Sequence, residues 1–296
     1  MKIAIIGAGK WGSALCGALS EKNECVITSR TPRNLPNFVS IEEALDCEML
    51  VFVIAAQHTA EFLAHNFTNK NQKILVASKG IEASSGRFLN EIFERHTSAQ
   101  NLAYLSGPSF ASEVTRKLPC ALVVSSANLA LAQQIADLFP PYMKTYASTD
   151  VIGAEICGAY KNVIAIASGI CDGLGLGNNA RASLIARGIV EIARFGKFFG
   201  AQDDTFLGLS GVGDLFLTAS SELSRNYRVG LGLAKNKSLE QILSELGEVA
   251  EGVYTARAVE KIAKEHGIYT PISSEVGKIL DGKNVKESLQ DLLKKH

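Results

Sequence analysis

Short apolar runs alternate with longer amphipathic segments through the first half of the chain. The runs are rich in Val, Ile and Leu and are bounded by polar residues and glycines, which is typical of strands that are buried on both faces. The predicted strands are Lys2–Ile6, Cys25–Thr28, Leu50–Ala55, Lys73–Ala77, Leu102–Leu105, Ala121–Ser125 and Met143–Tyr146.

The segments between these runs have the periodicity of helices. Ser40 stands three residues before Glu43, the spacing of a capping box at the start of a helix. Buried strands that alternate with helices predict a parallel sheet covered on both faces, which is a doubly wound α/β domain. The predicted helices are Trp11–Ser20, Ile41–Leu45, His58–Phe67, Gly86–Arg95, Ser109–Arg116 and Leu129–Leu138.

The pattern changes after about Tyr146, and no comparable strand is predicted beyond it. We therefore expect a doubly wound domain at residues 1–148 and an all-helical domain at residues 149–296. The longest apolar stretch, Val151–Cys171, contains Glu155 and Lys161, so we expect a buried core helix and no membrane insertion. The predicted helices of this half are Val151–Ser168, Arg181–Phe199, Leu239–Leu246, Thr255–His266, Ser273–Asp281 and Val285–Lys295.

Composition and charge narrow the function classes. The 296 residues are 47% hydrophobic and 20% charged, which indicates a globular protein long enough for two domains. Thirty basic and thirty acidic residues give no net charge, so a nucleic-acid partner is not expected. The six cysteines form no C-x-x-C pair, and the five histidines are dispersed. This usage predicts buried thiols in a reducing, cytoplasmic compartment and no metal site. The first apolar run is too short for a signal peptide.

A glycine-rich turn follows the first strand as Gly7-Ala-Gly9-Lys-Trp-Gly12. Gly7 allows a tight turn, Gly9 lets the backbone approach a phosphate, and Gly12 lets the next helix lie close to the strand. The helix N-terminus also offers unpaired N–H groups to an anion. With a strand before it and a helix after it, this motif predicts a Rossmann-type site for a dinucleotide, although the glycines alone are a weak signal.

The end of the second strand distinguishes the two nicotinamide cofactors. An acidic residue there binds the ribose hydroxyls of NAD, whereas an arginine accommodates the 2′-phosphate of NADP. The stretch Val26-Ile-Thr-Ser-Arg30 contains no Asp or Glu, and Arg33 follows closely. The sequence therefore predicts a preference for NADP(H) and leaves NAD(H) open. The alternative is that Arg30 is an ordinary solvated loop residue.

Lys161 is the candidate acid–base residue. It lies in the apolar helix as Ala159-Tyr-Lys-Asn-Val163, among small and apolar neighbours on the same helical face. A lysine in such a helix often extends its amine to water. Partial burial beside a cleft would instead lower the pKa of the amine toward the range that proton transfer needs. The spacing alone does not decide between these interpretations.

Several polar groups follow glycines or strand ends. Asp214, after Gly211-Val-Gly213, is either a helix cap or a carboxylate that pairs with the lysine or holds a substrate hydroxyl. The triplet Ser224-Arg225-Asn226 either begins a helix or binds a phosphate through its guanidinium. Lys79 and the turn Ser106-Gly-Pro-Ser109 directly follow the fourth and fifth strands, where a doubly wound sheet binds ligands.

These motifs together resemble those of the NAD(P)-dependent glycerol-3-phosphate dehydrogenases of the bacterial biosynthetic type. The resemblance covers essentially the whole chain. It implies an oxidoreductase that reversibly reduces dihydroxyacetone phosphate to sn-glycerol 3-phosphate for phospholipid synthesis, with a Rossmann domain, a helical substrate domain and a homodimeric state. The matching blocks are Gly7–Gly12, Ser78–Glu82, Leu105–Val114, Lys161–Ile166, Gly211–Leu215, Ser224–Asn226 and Glu251–Val253.

The resemblance also implies roles for individual residues, with Lys161 as the proton acceptor. The implied substrate contacts are Lys79, Gly107, Ser109, Asp214, Ser224, Arg225 and Asn226. The implied cofactor contacts, beside the three glycines of the loop, are Trp11, Arg30, Arg33, Lys79, Ala111, Arg225, Val249 and Glu251.

The chain departs from the family pattern in three places. The connection Thr31–Ser40 is short, Ile54-Ala-Ala-Gln57 replaces a turn that usually contains proline, and Tyr160 precedes the lysine. Two other functions remain as alternatives. One is a β-hydroxyacid dehydrogenase that acts on a hydroxy-carboxylate, and the other is a non-catalytic NADP-binding sensor.

Overall fold

The computed structural model describes residues 1–247 and 249–294. The chain divides into two compact units. The first unit contains Met1–Lys79 and Phe88–Glu155, and the second contains Gly80–Arg87 and the chain from Ile156 onward. The predicted doubly wound α/β fold followed by a helical half is confirmed. The functional division at residues 148 and 149 stays a prediction.

All seven predicted strands are present in the first unit, and they form one sheet in the order β2-β1-β3-β4-β5-β6-β7. The strand order proceeds from β1 to β2 on one side and from β1's other neighbour, β3, onward on the other side. A doubly wound sheet binds ligands at such a switch point, outside the carboxyl ends of the strands. The strands are β1 Lys2–Ile6, β2 Glu24–Thr28, β3 Met49–Phe52, β4 Lys73–Val76, β5 Leu102–Ser106, β6 Cys120–Ser125 and β7 Met143–Ser148.

The expectation of a purely parallel sheet is wrong at one pair of strands. β6 runs antiparallel to β5, with Tyr104 opposite Ser125, whereas β7 is parallel to β6. The connection between β5 and β6 contains the short helix α5 (Ala111–Thr115) and, at residues 107–119, is the shortest between consecutive strands of this sheet. A parallel pair needs a crossover connection of about a dozen residues or more, so this connection is near the lower limit for a parallel strand.

Helices cover both faces of the sheet, as the alternating pattern predicted. One apolar cluster is built around Ile3, Leu15 and Leu122, and another around Ile74, Phe52 and Phe93. The remaining elements of this unit are α1 Lys10–Leu19, α2 Ile41–Leu45, α3 Ala56–Asn66, α4 Leu89–Phe93, a 3₁₀ turn at Ala99–Asn101, and α6 Leu129–Ala136.

The second unit is helical, as predicted. Its first helix, α7, begins at Val151 in the first unit and continues into the second. The end predicted at Lys295 lies outside the described residues. The helices are α7 Val151–Gly173, α8 Gly177–Phe198, α9 Asp203–Leu207, α10 Asp214–Ala219, α11 Arg225–Ala234, α12 Leu239–Leu246, α13 Glu251–His266, α14 Pro271–Leu280 and α15 Val285–Leu293, with a π-helical turn at Leu209–Gly213.

Helix α7 is long and apolar enough to cross a membrane by length and composition alone. However, 83% of its most apolar 18-residue window is buried inside the protein. A helix whose whole circumference is apolar is typical of a core as well as of a membrane. The prediction of a buried core helix is therefore confirmed, and its burial places Lys161 in a largely apolar setting.

Candidate active site

The glycine loop connects β1 to α1 with the geometry that its sequence predicted. Gly7 has a φ of +123°, which favours glycine, and a Cβ atom there would lie 2.6 Å from the carbonyl oxygen of Val53. A Cβ atom on Gly12 would lie only 1.8 Å from the carbonyl oxygen of Gly7. Neither position accepts a side chain without movement of the backbone. The loop therefore brings α1 against the carboxyl end of β1.

Gly9 differs from its neighbours because its side-chain position faces open space. Among the described residues, no atom lies within 4 Å of a Cβ atom built on Gly9. Gly9 is also the N-cap of α1, and within the described chain no side chain caps this helix end. A helix N-terminus with room before it fits a pyrophosphate, so the loop fits the phosphates of NAD(P).

The side chains of Arg30 and Arg33 are exposed on the connection that leaves the carboxyl end of β2. The short segment Thr31–Ser40 folds back along this strand. The N–H of Ile27 donates to the carbonyl of Asn37 at 3.0 Å, and its own carbonyl accepts from the N–H of Val39 at 3.0 Å. The shortened connection is thus an ordered edge of the sheet. It keeps both arginines near the strand end where cofactor preference is decided.

Two further loops follow the carboxyl ends of β4 and β5. They lie at the same end of the strands as the glycine loop, because β1, β4 and β5 are mutually parallel. Lys79 follows β4 and is half-buried. Gly107 follows β5 with a φ of +111°, and its carbonyl accepts from the hydroxyl of Ser109 at 3.2 Å. Ala111 begins α5 directly afterwards. These predicted contacts of the first unit therefore all follow the carboxyl ends of parallel strands.

Lys161 and Asp214 form a buried ion pair in the second unit. Lys161 is 7% exposed and Asp214 1% exposed, and the Nζ atom of the lysine donates a hydrogen bond to Oδ1 of the aspartate. The hydroxyl of Thr218 lies 3.4 Å from the same oxygen. Each charge is compensated inside the protein by the opposite charge at contact distance. The amine is thus held in one place inside the protein and does not extend into water.

The chain before Asp214 explains its position. The turn Leu209–Gly213 is π-helical, and a Cβ atom on Gly211 would lie 2.1 Å from the carbonyl oxygen of Phe206. Isolated π-helical turns occur often at functional sites. Asp214 is the first residue of α10, and Gly213 occupies the cap position. Of the interpretations that the sequence left open, the structure contains the ion pair with the lysine.

The triplet Ser224-Arg225-Asn226 begins α11, as one interpretation predicted. Ser224 is the N-cap, and its hydroxyl accepts from the N–H of Tyr227 at 3.3 Å. The amide of Asn226 donates to Oδ1 of Asn162 at 2.9 Å and accepts from the N–H of Gly252 at 2.9 Å. Ser224 and Asn226 are buried, whereas Arg225 is exposed. Within the triplet, Arg225 is therefore the residue whose charge can reach a ligand.

Close packing of α11 on α7 fixes this triplet relative to the lysine helix. A Cβ atom on Gly230 would lie 2.1 Å from the carbonyl oxygen of Ile166, and one on Gly169 would lie 2.0 Å from the carbonyl oxygen of Tyr227. The two helices therefore cross with their backbones in contact, which only glycine permits at these positions. The start of α11 and the lysine on α7 belong to one rigidly packed pair.

Val249 and Glu251, the last predicted cofactor contacts, lie at the start of α13. Val249 is 43% exposed, and Glu251 is the first residue of the helix and half-buried. The hydrogen bond between Asn226 and Gly252 attaches this helix start to α11. The second unit therefore brings together Lys161, Asp214, the triplet and the start of α13.

Tyr160, which departs from the family pattern, takes part in a separate buried network. Its hydroxyl donates to Oε1 of Glu191 at 2.9 Å and lies 2.8 Å from the hydroxyl oxygen of Ser273. Glu191 also accepts from the N–H groups of Ile272 and Ser273, at the start of α14. Burial, and secondarily the charge of Glu191, raises the pKa of Tyr160 well above its ordinary value. Tyr160 and Glu191 thus connect α7 and α8 to the start of α14.

Asn162 and Thr218 were not among the predicted site residues. Asn162 binds the amide of Asn226, and Thr218 lies beside the carboxylate of Asp214. Thr218 is four residues after Asp214 on one helix, so the spacing of side chains on a helical face was a usable signal. Asn162 faces α11, which lies far away in sequence, and only the packing of the two helices reveals that contact.

Comparison with known proteins agrees with these motifs and this fold. Residues 24–132 match the family described as NAD-dependent glycerol-3-phosphate dehydrogenase N-terminus, and residues 150–290 match its C-terminus. Glycerol-3-phosphate dehydrogenase [NAD(P)+] of Campylobacter lari is 62% identical, over 99% of this chain and 98% of that protein. The enzyme of the same name from Sulfurimonas denitrificans is 60% identical, over 99% of each chain.

A solved structure supports the same assignment. The crystal structure of glycerol-3-phosphate dehydrogenase from Coxiella burnetii has a TM-score of 0.91 to this chain at 32% identity and covers 99% of both chains. D-mandelate dehydrogenase shares only the fold, with a TM-score of 0.63 at 16% identity. The chain therefore belongs to the NAD-dependent glycerol-3-phosphate dehydrogenase family.

Proposed function

We propose that this chain reversibly reduces dihydroxyacetone phosphate to sn-glycerol 3-phosphate with a nicotinamide cofactor, and so supplies phospholipid synthesis. The observation that carries this proposal is the buried pair of Lys161 and Asp214, on helices packed with the one that presents Arg225. A ketone that carries a phosphate needs one proton donor and one anchored cation. The second unit provides both.

The cofactor is NADP(H) by preference, with NAD(H) also accepted. When bound, its nicotinamide supplies a hydride in reduction and accepts one in oxidation. Gly7, Gly9 and Gly12 would hold the pyrophosphate at the start of α1, because this loop combines open space with a helix N-terminus. Arg30 and Arg33 would bind the 2′-phosphate. The other proposed cofactor contacts are Trp11, Lys79, Ala111, Arg225, Val249 and Glu251.

Lys161 performs the proton transfer. In reduction, its ammonium donates a proton to the substrate's carbonyl oxygen at C2 as that oxygen becomes an alkoxide. In oxidation, the neutral amine removes the proton from the C2 hydroxyl. Asp214 keeps Nζ in one position and compensates the positive charge, so little reorganisation is needed when the proton moves.

Arg225 binds the substrate phosphate, because a guanidinium offers two parallel N–H donors to phosphate oxygens. Ser224 and Asn226 support it as the cap and the anchor of the same helix end. Anchoring the phosphate limits the orientations of the carbonyl, and orientation contributes up to roughly 7–11 kcal/mol in well-aligned reactions. Lys79, Gly107 and Ser109 are the proposed substrate contacts of the first unit.

The alternative function, a β-hydroxyacid dehydrogenase, uses a similar division of the chain but a carboxylate substrate. Consumption of NADPH by the purified protein, followed at its nicotinamide absorbance, separates the two. We expect oxidation when dihydroxyacetone phosphate is added and none above background with short 3-oxo carboxylates. Oxidation with a carboxylate and none with the phosphorylated ketone would overturn the proposal. The absence of turnover with both classes would support the non-catalytic sensor.

We further propose that the protein works as a homodimer in the cytoplasm. The resemblance to the family implies the dimer. The cytoplasm is supported by the cysteines, since Cys16, Cys25, Cys47, Cys157 and Cys171 are buried and none of them forms a disulfide. Light scattering coupled to gel filtration should give twice the mass of 31.6 kDa. A monomer mass across the working concentration range would exclude the dimer.

A further inference from the structure

Trp11, the chain's only tryptophan, makes a contact that its proposed role at the cofactor does not explain. It lies in the first turn of α1, and its ring is half-buried against the apolar core of the first unit. Its indole Nε1–H donates a hydrogen bond to the carbonyl oxygen of Ala77 at 3.2 Å. The side chain thus connects the glycine loop to the chain that leaves β4.

Ala77 is the point where that chain leaves the sheet. Its N–H still donates to the carbonyl of Phe52 at 2.8 Å, which extends the ladder with β3 by one residue. On the other side, the described pairing of β4 with β5 ends one residue earlier, at Val76 and Tyr104. The carbonyl of Ala77 therefore lies beyond the last described β4–β5 pair, and the indole binds it there.

Lys79 lies two residues after Ala77, between a hydrogen-bonded Ser78 and a turn at Gly80. The hydroxyl of Ser78 donates to the carbonyl of Phe52 at 3.3 Å, and Gly80 turns the chain with a φ of +142°. Ala77 and Ser78 are thereby fastened, by Trp11 and by β3 respectively. These two side-chain hydrogen bonds hold the chain where it leaves the sheet, directly before Lys79.

We propose that Trp11 is a positioning residue for Lys79, acting through the carbonyl of Ala77. The inference rests on the proposed function, in which Lys79 contacts the phosphorylated substrate. An indole suits this role because its ring is rigid and its nitrogen is a donor only, so the hydrogen bond has one possible direction. Loss of that hydrogen should weaken substrate binding even where the aromatic contact is kept.

The sharpest test removes only the donor. Because Trp11 is the only tryptophan, it can be replaced by 3-benzothienylalanine, in which sulfur stands for the indole N–H, in the wild-type chain and in a Lys79→Ala chain. We expect the KM for dihydroxyacetone phosphate to rise about five- to tenfold in the wild-type background. The rise in the Kd for NADPH, measured by direct binding, should be smaller. In the Lys79→Ala background the replacement should change KM less than about twofold, because coupled residues are not additive.

Hydrogen exchange provides a readout that does not need activity. The amide of Ala77, which donates to the carbonyl of Phe52 at 2.8 Å, should exchange at least about tenfold faster in the analogue, since opening of this segment no longer has to break the indole hydrogen bond. If the analogue does not fold, Trp11→Phe replaces it in the same comparison. Unchanged exchange, an equal rise of KM in both backgrounds, or an effect on NADPH alone would overturn the inference. Failure of the unmodified protein to reduce dihydroxyacetone phosphate would overturn the proposed function instead, and the exchange result would still test the hydrogen bond.

Discussion

The Nζ atom of Lys161 and the carboxylate of Asp214 face each other inside the second unit, with side chains only 8% and 2% exposed. A buried pair of this kind contributes little net stability, because the desolvation of both charges offsets their attraction. Its presence in the interior of the second unit therefore points to a role other than stability. In the proposed function this pair supplies the proton, from an amine whose position is fixed before substrate binds.

Removing one member of this pair should destabilise the protein. Lys161→Met leaves the carboxylate of Asp214 buried without its cation, at an expected cost of about 3–5 kcal/mol in the free energy of unfolding. The double variant Lys161→Met/Asp214→Leu should recover most of that loss, because an apolar pair replaces both charges. Urea unfolding of the three proteins checks this. A double variant as unstable as the single one would show that the site needs charge for its structure.

Arg225 should control substrate affinity more than turnover. Arg225→Ala removes the exposed guanidinium at the start of α11, and we expect KM for dihydroxyacetone phosphate to rise at least about tenfold, in line with the loss of a charged hydrogen bond. Arg228, exposed one turn later on the same helix, is the matched control. Steady-state kinetics of Arg225→Ala and Arg228→Ala should differ clearly. Similar values of KM for both would place the phosphate elsewhere.

Arg30 and Arg33 should determine the preference between cofactors. With both changed to Ala, binding of NADPH should weaken by about tenfold or more, since each contact with a phosphate is charge-assisted. Binding of NADH, which has no 2′-phosphate, should change little. Arg95→Ala serves as the control, because Arg95 is exposed on the chain that leads to the amino end of β5, away from the carboxyl ends where the cofactor is proposed to bind. Equal weakening of both cofactors would refute the assignment.

Glu155 predicts a pH dependence of stability. Burial raises its pKa from 4.5 to about 8, although the carboxylate accepts the N–H of Asn90 at 3.1 Å. The folded state therefore holds a proton that the unfolded chain releases at lower pH. The stabilisation is complete below about pH 4.5 and is lost as the pH rises through about 8, by roughly 5 kcal/mol at most.

Glu155→Gln isolates this effect, because a neutral amide keeps the shape and an acceptor oxygen. The difference in unfolding free energy between wild type and variant, measured from pH 5 to 9, should move in favour of the variant as pH rises. Glu94→Gln, at an exposed position next to α4, is the control and should give a flat difference. A flat difference for Glu155→Gln as well would mean that the carboxyl is not protonated in the folded protein.

The sequence predicted most of the fold because local signals agreed with the tertiary structure. The bounds Lys2–Ile6, Ile41–Leu45 and Leu239–Leu246 are those observed. β6 was predicted as a strand, but its antiparallel direction was missed, because the apolar pattern of a strand does not show which way it runs beside its neighbour. The helix predicted over Gly86–Arg95 is shorter in the structure: only Leu89–Phe93 is helical, and Gly86 has a positive φ.

The candidate site was predictable where chemistry is local. Gly7, Gly9 and Gly12 carry their roles in their spacing, and a lysine inside an apolar helix is conspicuous. The partners of these residues were not predictable, because they come from distant segments. The carboxylate beside Lys161 lies on α10, and the amide that holds Asn226 lies on α7. Sequence spacing does not show whether Asp214 caps a helix or forms an ion pair. The packing of α7, α10 and α11 shows the ion pair.

The most direct test of the catalytic role is turnover by Lys161→Met in the presence of saturating NADPH and dihydroxyacetone phosphate. We expect kcat to fall by about 10²- to 10⁴-fold, the usual contribution of a positioned acid–base group. NADPH binding, measured separately by its fluorescence on the folded variant, should stay within about twofold of the wild-type value, because one amine in the second unit should leave the glycine loop unchanged. Turnover within about tenfold of wild type by a folded, NADPH-binding Lys161→Met protein would contradict the account.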